Sequence, residues 1–162
     1  MVPERNSKDR QGMNVPNIAI KKGSELPFNA VIALYRAVGW KGYTEEPVRS
    51  KLLQAIQNSS YTVTAWDGDR LIGLARCITD DVSIFYLQDI LVHPTYQRRG
   101  IGKTLLQDCL ERFQHVRMKV LLTDDRQEQL RFYESLGFIN SKHLEGNPLN
   151  TFIMVRDREG NG

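Results

Sequence analysis

The chain has 162 residues, 41% of them hydrophobic and 25% charged, a balance that suits one soluble globular domain with a real core. The formal net charge is only +3 and no long Lys/Arg block occurs, so composition makes no case for a nucleic-acid binder. The two cysteines, Cys77 and Cys109, lack motif spacing, which argues against a disulfide framework or a metal site and fits a reducing compartment. The opening stretch lacks the apolar core of a secretory signal, and no apolar run reaches transmembrane length, so a cytoplasmic protein is expected.

In chain order, residues 1–15 are polar and read as a disordered tail, with Met13 as an alternative start. One domain is expected over residues 16–157. Asn17–Lys21 is a strand candidate. Pro27 to Val38 reads as a helix with Ala30, Val31, Leu34 and Val38 on one stripe, ended by Gly39. Pro47 opens a second helix carrying Val48, Leu52 and Ile56. Tyr61–Trp66 and Leu71–Ile78 flank Asp67-Gly68-Asp69 and predict a hairpin. Ile84–Val92 is the next strand. A helix over Ile101–Phe113 buries Ile101, Leu105, Cys109 and Phe113, with Leu106 and Leu110 beside them. Lys119–Thr123 reads as a strand, and Glu128–Leu136 as a short helix closed by Gly137. Phe138–Asn140 and Thr151–Val155 read as closing strands around the turn Gly146-Asn147-Pro148. The alternation of strands and helices predicts an α/β or α+β fold with a mixed sheet.

The most informative segment runs from strand Ile84–Val92 through a Pro94 turn into Gln97-Arg98-Arg99-Gly100-Ile101-Gly102. Glycines at the start of a helix let an anion approach the backbone amides at the positive end of the helix dipole. A pyrophosphate is the natural guest, with Arg98, Arg99 and Lys103 close by to offset its charge. Three phosphate-binding patterns compete. Gly100-Ile101-Gly102-Lys103-Thr104 imitates a nucleotide loop, but that motif needs a glycine where Gln97 stands. A dinucleotide fingerprint needs a third glycine where Leu105 stands. The pattern Gln-x-x-Gly-x-Gly after a strand ending Val-x-Pro is met at every position.

That third pattern resembles the GNAT superfamily of acetyl-CoA-dependent N-acetyltransferases. It is carried by Leu91-Val92-His93-Pro94, then Gln97 to Gly102, then Leu105-Leu106. A second block, Leu130-Arg131-Phe132-Tyr133-Glu134-Ser135-Leu136-Gly137-Phe138, is similar to the family's Phe-Tyr-x-x-x-Gly-Phe segment. The resemblance implies a twisted mixed sheet flanked by helices, in which two central parallel strands, Ile84–Val92 and Lys119–Thr123, splay apart. It implies acetyl-CoA as co-substrate, its pantetheine pairing with Ile90, Leu91 and Val92. The pyrophosphate would sit on the loop Gln97, Arg98, Arg99, Gly100, Ile101, Gly102, Lys103 and Thr104.

The implied reaction is direct attack of a primary amine, of a small molecule, on the acetyl thioester. Tyr133 then stands as proton donor to the leaving thiolate. For the base two readings remain open, Asp89 on the splayed strand and a chain of waters. Alternation puts Asp89 on one face with Leu87 and Leu91, unless a bulge undoes the count. Trp40 and Tyr43 are expected to line the acceptor pocket, with one of Phe85 and Tyr86 reaching it, while Tyr35 reads as core. His93 reads as structural, and His115 and His143 as surface residues. No metal, nucleic acid or membrane is implied, and a homodimer is only a family tendency. Two positions depart from the family pattern: Arg126 stands where an Asn is common, and Gln129 where an Ala is common. The alternative reading is a non-catalytic acetyl-CoA sensor.

Overall fold

The computed structural model describes residues 17–156. The expected N-terminal tail and Met13 lie outside the described residues. The chain forms two compact units, one ending at Leu121 and one beginning at Leu122.

The first unit is built on a five-stranded sheet in sequential order, β1 (Ile18–Lys22), β2 (Tyr61–Asp67), β3 (Arg70–Thr79), β4 (Ile84–Val92) and β5 (Met118–Leu121). The first four strands are antiparallel neighbours, and β4 and β5 are parallel, so the sheet is mixed as expected. The two-residue loop Gly68-Asp69 joins β2 to β3, with Gly68 at φ 56°. A parallel pair needs a crossover, and α4 (Ile101–Arg112) supplies it.

Helices cover both faces. On one, α1 (Phe28–Ala37) and α3 (Leu52–Gln57) bury Val31, Leu34, Tyr35, Leu52 and Ile56 against Leu74 and Leu91. Between them lie a short helix α2 (Lys41–Thr44) and a 3-10 turn Arg49–Lys51. The helix expected from Pro47 therefore starts at Leu52, and Val48 is exposed. On the other face α4 buries Ile101, Leu105, Leu106 and Cys109. Gly73 lets it lie close: a Cβ there would stand 3.1 Å from Leu105 and 3.3 Å from Ile101 and Ala65.

The second unit holds α5 (Gln127–Ser135) and a 3-10 turn, Ser141–His143. Gly137, at φ 90°, ends α5 as expected: its N–H donates to the Glu134 carbonyl and that of Phe138 to the Tyr133 carbonyl, a Schellman closure. The expected closing strands Phe138–Asn140 and Thr151–Val155 are not formed. Asn140 instead caps the 3-10 turn through Lys142 N–H. The 151–155 segment is rich in apolar residues but has no neighbouring strand within its unit, and an unpaired strand is not stable by itself. No helix among the described residues is long and apolar enough to cross a membrane.

Candidate active site

Two features of the first unit create a place for an extended, anionic guest. The first is the end of the β4 edge, which no strand among the described residues pairs. β5 pairs with β4 only from Ile84↔Met118 to Leu87↔Leu121, while β4 runs on to Val92. His93 N–H donates to the Ile72 carbonyl on β3, 2.7 Å. By strand alternation Leu91 also addresses β3, and Ile90 and Val92 address the opposite edge. The Val92 carbonyl is already taken by Gln97 Nε2 at 3.0 Å, so the Gln97 side chain braces the loop.

The second feature is the loop itself. Arg98 and Gly100 both lie in the left-handed region, at φ 64° and 79°. They turn the chain so that α4 begins at Ile101. Its first ladder bond is Thr104 N–H to the Gly100 carbonyl, 3.0 Å, which leaves the amides of Ile101, Gly102 and Lys103 ahead of the ladder. Thr104 Oγ1 donates to the same carbonyl at 3.0 Å. A Cβ on Gly100 would meet nothing within 4 Å, so glycine is demanded there by φ rather than by crowding. Arg99 lies over the Tyr96 ring at 5.4 Å, and Lys103 is exposed. His93 braces the turn as expected, its Nδ1 accepting from Thr95 N–H.

The polar centre of this unit is Asp89. Arg76 on β3 pairs with Asp89, but the next β3 residue, Cys77, pairs with Leu87, so Gln88 is an inserted residue. This bulge turns Asp89 to the α1 face with Leu91 and leaves Leu87 beside Cys77 on the α4 face. The simple count that grouped Asp89 with Leu87 is corrected accordingly. Asp89 and Arg76 are only 3% and 5% exposed. Asp89 Oδ2 accepts from Arg76 Nε at 2.5 Å and from the Tyr35 hydroxyl at 2.8 Å. Oδ1 accepts from the Tyr43 hydroxyl at 2.9 Å, and Gln88 Nε2 donates to that hydroxyl oxygen at 3.1 Å. Arg76 Nη1 reaches Ser59 Oγ and the Ala55 carbonyl on α3.

Burial, then the Asp89 charge, raises the Tyr43 hydroxyl above its ordinary range, and Tyr35 is raised by the same two causes. Burial works against the Arg76 guanidinium, but Asp89 outweighs it and the net direction is upward. The aromatic rings cluster: Tyr35 to Tyr43 is 5.1 Å, Tyr35 to Trp40 5.8 Å and Trp40 to Tyr43 5.9 Å. Trp40 and Tyr43 are half-buried and Tyr35 fully buried. Phe85 is buried near the Phe113 ring, so of the two aromatics on β4 only Tyr86 is partly open. Sequence reasoning missed Arg76 and Gln88. Its available signal for Arg76 was a charge inside the apolar run Leu71 to Ile78, which demands a partner.

In the second unit Tyr133 is 8% exposed and sits between the rings of Phe132 and Phe138. Burial, then Asp124, pushes its hydroxyl up to about 12. Arg126 is the N-cap residue of α5 and pairs with Asp124, 2.9 Å. His115 is an exposed partner of Asp81.

These features define an acetyl-CoA-type transferase fold, and the comparisons name its family. Residues 28–138 match the acetyltransferase (GNAT) family, and the chain belongs to that family. A curated relative, an uncharacterized N-acetyltransferase ycf52-like protein of Prochlorococcus marinus, is 34% identical over 111 residues. The match takes in 65% of this chain but 58% of that relative, so the chain corresponds to little more than half of it. Among solved structures, the GNAT-family acetyltransferase SP0256 of Streptococcus pneumoniae TIGR4 is similar with a TM-score of 0.74 and 33% identity, over 86% of this chain and 98% of that one. The PaiA N-acetyltransferase of Thermoplasma acidophilum, solved in complex with coenzyme A, shares the fold with a TM-score of 0.66 at 21% identity, over 79% and 93% of the two chains.

Proposed function

We propose that this chain is an N-acetyltransferase that moves the acetyl group of acetyl-CoA directly to a primary amine of a small molecule. The observation that carries the reading is the β4 edge left unpaired beyond Leu87, followed after the turn Pro94–Tyr96 by a left-handed glycine loop and the leading amides of α4. Both units belong to one acetyltransferase domain over residues 16–157, a reading supported by a family match that runs across both.

The residues fit the co-substrate. Ile90 and Val92 offer backbone groups to a pantetheine amide, with Leu91 between them. The amides of Ile101, Gly102 and Lys103, with the charges of Arg98, Arg99 and Lys103, suit a pyrophosphate. Gln97, Gly100 and Thr104 hold the loop in shape. Acetyl-CoA supplies an activated acyl group as a thioester, and the protein must bind, orient and move protons. An alkylamine of ordinary pKa, ~10.4, costs about 4–5 kcal/mol to deprotonate at pH 7. Tyr133 serves as the proton donor. Its raised pKa keeps the phenol protonated throughout the neutral range. The half-buried rings of Trp40 and Tyr43 form the acceptor wall, and an aromatic wall favours an arylalkylamine or a cationic amine.

The test is product identification. The protein is incubated with acetyl-CoA and a mixture of arylalkylamines, polyamines, aminoglycosides, amino acids and short peptides. An N-acetylated small amine in the mass spectrum is expected. Acetylation of peptides alone would overturn the small-molecule acceptor. Tight acetyl-CoA binding without any product would favour a sensor.

A further inference from the structure

Asp89 is the residue that sequence reasoning offers as base, and its surroundings argue for another task. A carboxylate offers about four lone-pair sites. Three are filled, by Arg76 Nε, Tyr35 and Tyr43. Asp89 and the Arg76 guanidinium are both buried, 3% and 5% exposed, and form one ion-paired unit, so the carboxylate is held by its partners in a fixed orientation. Asp89 is thus a carboxylate committed mainly to holding Arg76, Tyr35 and Tyr43 in place, with one acceptor site left.

The group that this pair controls is Tyr43. A phenol has one proton to donate and two lone pairs. The proton points to Asp89 Oδ1, 2.9 Å away, and one lone pair receives Gln88 Nε2 at 3.1 Å. One lone pair is left over, on a half-buried side chain beside Trp40. Tyr43 can therefore accept from an incoming N–H but cannot donate to an incoming oxygen.

We propose that Arg76 and Asp89 are positioning residues: they pin the Tyr43 hydroxyl as an acceptor-only group that receives an N–H of the primary amine, or of its ammonium, and disfavours groups that present no donor hydrogen. The Gln88 bulge makes this arrangement, because it alone brings Asp89 to the face where Tyr35 and Tyr43 lie. The inference rests on the acetyl-transfer reading above.

The experiment compares the full chain with Tyr43→Phe, Asp89→Asn, the double variant of the two, and Arg76→Gln/Asp89→Asn. The last removes both buried charges together, so it folds even where Asp89→Asn leaves Arg76 unpaired and unstable. Steady-state acetylation of 2-phenylethylamine is measured from pH 6 to 10, with acetyl-CoA affinity by calorimetry as a control on the fold. The expected result is a KM for the amine raised about tenfold by Tyr43→Phe, the size of one lost charge-assisted hydrogen bond. Both Asp89 variants raise KM similarly, with kcat falling less than tenfold. Asp89→Asn adds nothing in the Tyr43→Phe background, because both act through one contact. A kcat loss of about a hundredfold or more in both Asp89 variants, with the acidic limb of the kcat profile gone, is the signature of a general base and overturns the inference. Additive effects overturn it as well. Should the wild type turn over no amine, the transfer reading fails by itself. The inference is then decided by calorimetric binding of 2-phenylethylamine to the CoA-saturated protein: weaker binding by Tyr43→Phe supports it, and equal or undetectable binding by both proteins overturns it.

Discussion

At the residue scale, acid chemistry depends on how each hydroxyl is held. Tyr43 has its proton tied to a carboxylate, whereas the Tyr133 hydroxyl has no hydrogen-bond partner among the described residues and sits between two aromatic rings. With its pKa raised to about 12, Tyr133 as the proposed donor to a thiolate of ordinary pKa ~8.5 would transfer its proton uphill, so the role requires the site to stabilise the phenolate that remains. Tyr133→Phe is expected to lower kcat about a hundredfold with KM for acetyl-CoA little changed. A kcat within a few-fold of wild type would show that the ring merely packs. The direction of the shift adds a pH signature. A raised phenol pKa keeps the acid form present well past pH 9, so ionisation of Tyr133 produces no fall in kcat between pH 8 and 10. Such a fall, absent in Tyr133→Phe, would contradict the assignment. The loop from Gln97 to Gly100 and the Gly137 closure of α5 were legible in the sequence because short spacing defines them. Arg76 was not, because its partner Asp89 lies thirteen residues away across a hairpin and meets it only through the register of β3 with β4.

At the scale of elements, α4 connects the glycine loop to the core. Gly100 carries φ 79° with open space around it, so Gly100→Ala introduces only backbone strain, about 1–2 kcal/mol. The expected outcome is a lower denaturation midpoint and weaker acetyl-CoA binding, measured by chemical unfolding and calorimetry. Unchanged affinity would show that the loop is not shaped by this residue. Gly73 is the opposite case. Its φ is ordinary, but the space is not, since Leu105, Ile101 and Ala65 crowd the position. Gly73→Ala is expected to cost about 1 kcal/mol or more by overpacking, visible as a shift in the urea midpoint at constant slope. The sequence made β4 and α4 readable nearly to the residue because both carry clean periodic burial. It hid the Gln88 bulge, because the buried residues Leu87, Asp89 and Leu91 keep a period of two while the face changes beneath them. It also overstated Phe138–Asn140 and Thr151–Val155, where β-branched and aromatic residues suggest strands but the unit provides no partner edge.

For the whole molecule, the mixed sheet, the crossover by α4 and the early end of the β4–β5 pairing converge on one place. The strand edge supplies an extended row of amides, and the helix start supplies a cluster of them. The measurement that tests this most directly is amide hydrogen exchange of the full chain with and without acetyl-CoA. Slowed exchange is predicted at Ile90 and Val92 and at the amides from Arg98 to Lys103, with little change in β1 and the β2–β3 turn. Protection confined to other segments, or none at saturating acetyl-CoA, would contradict the account.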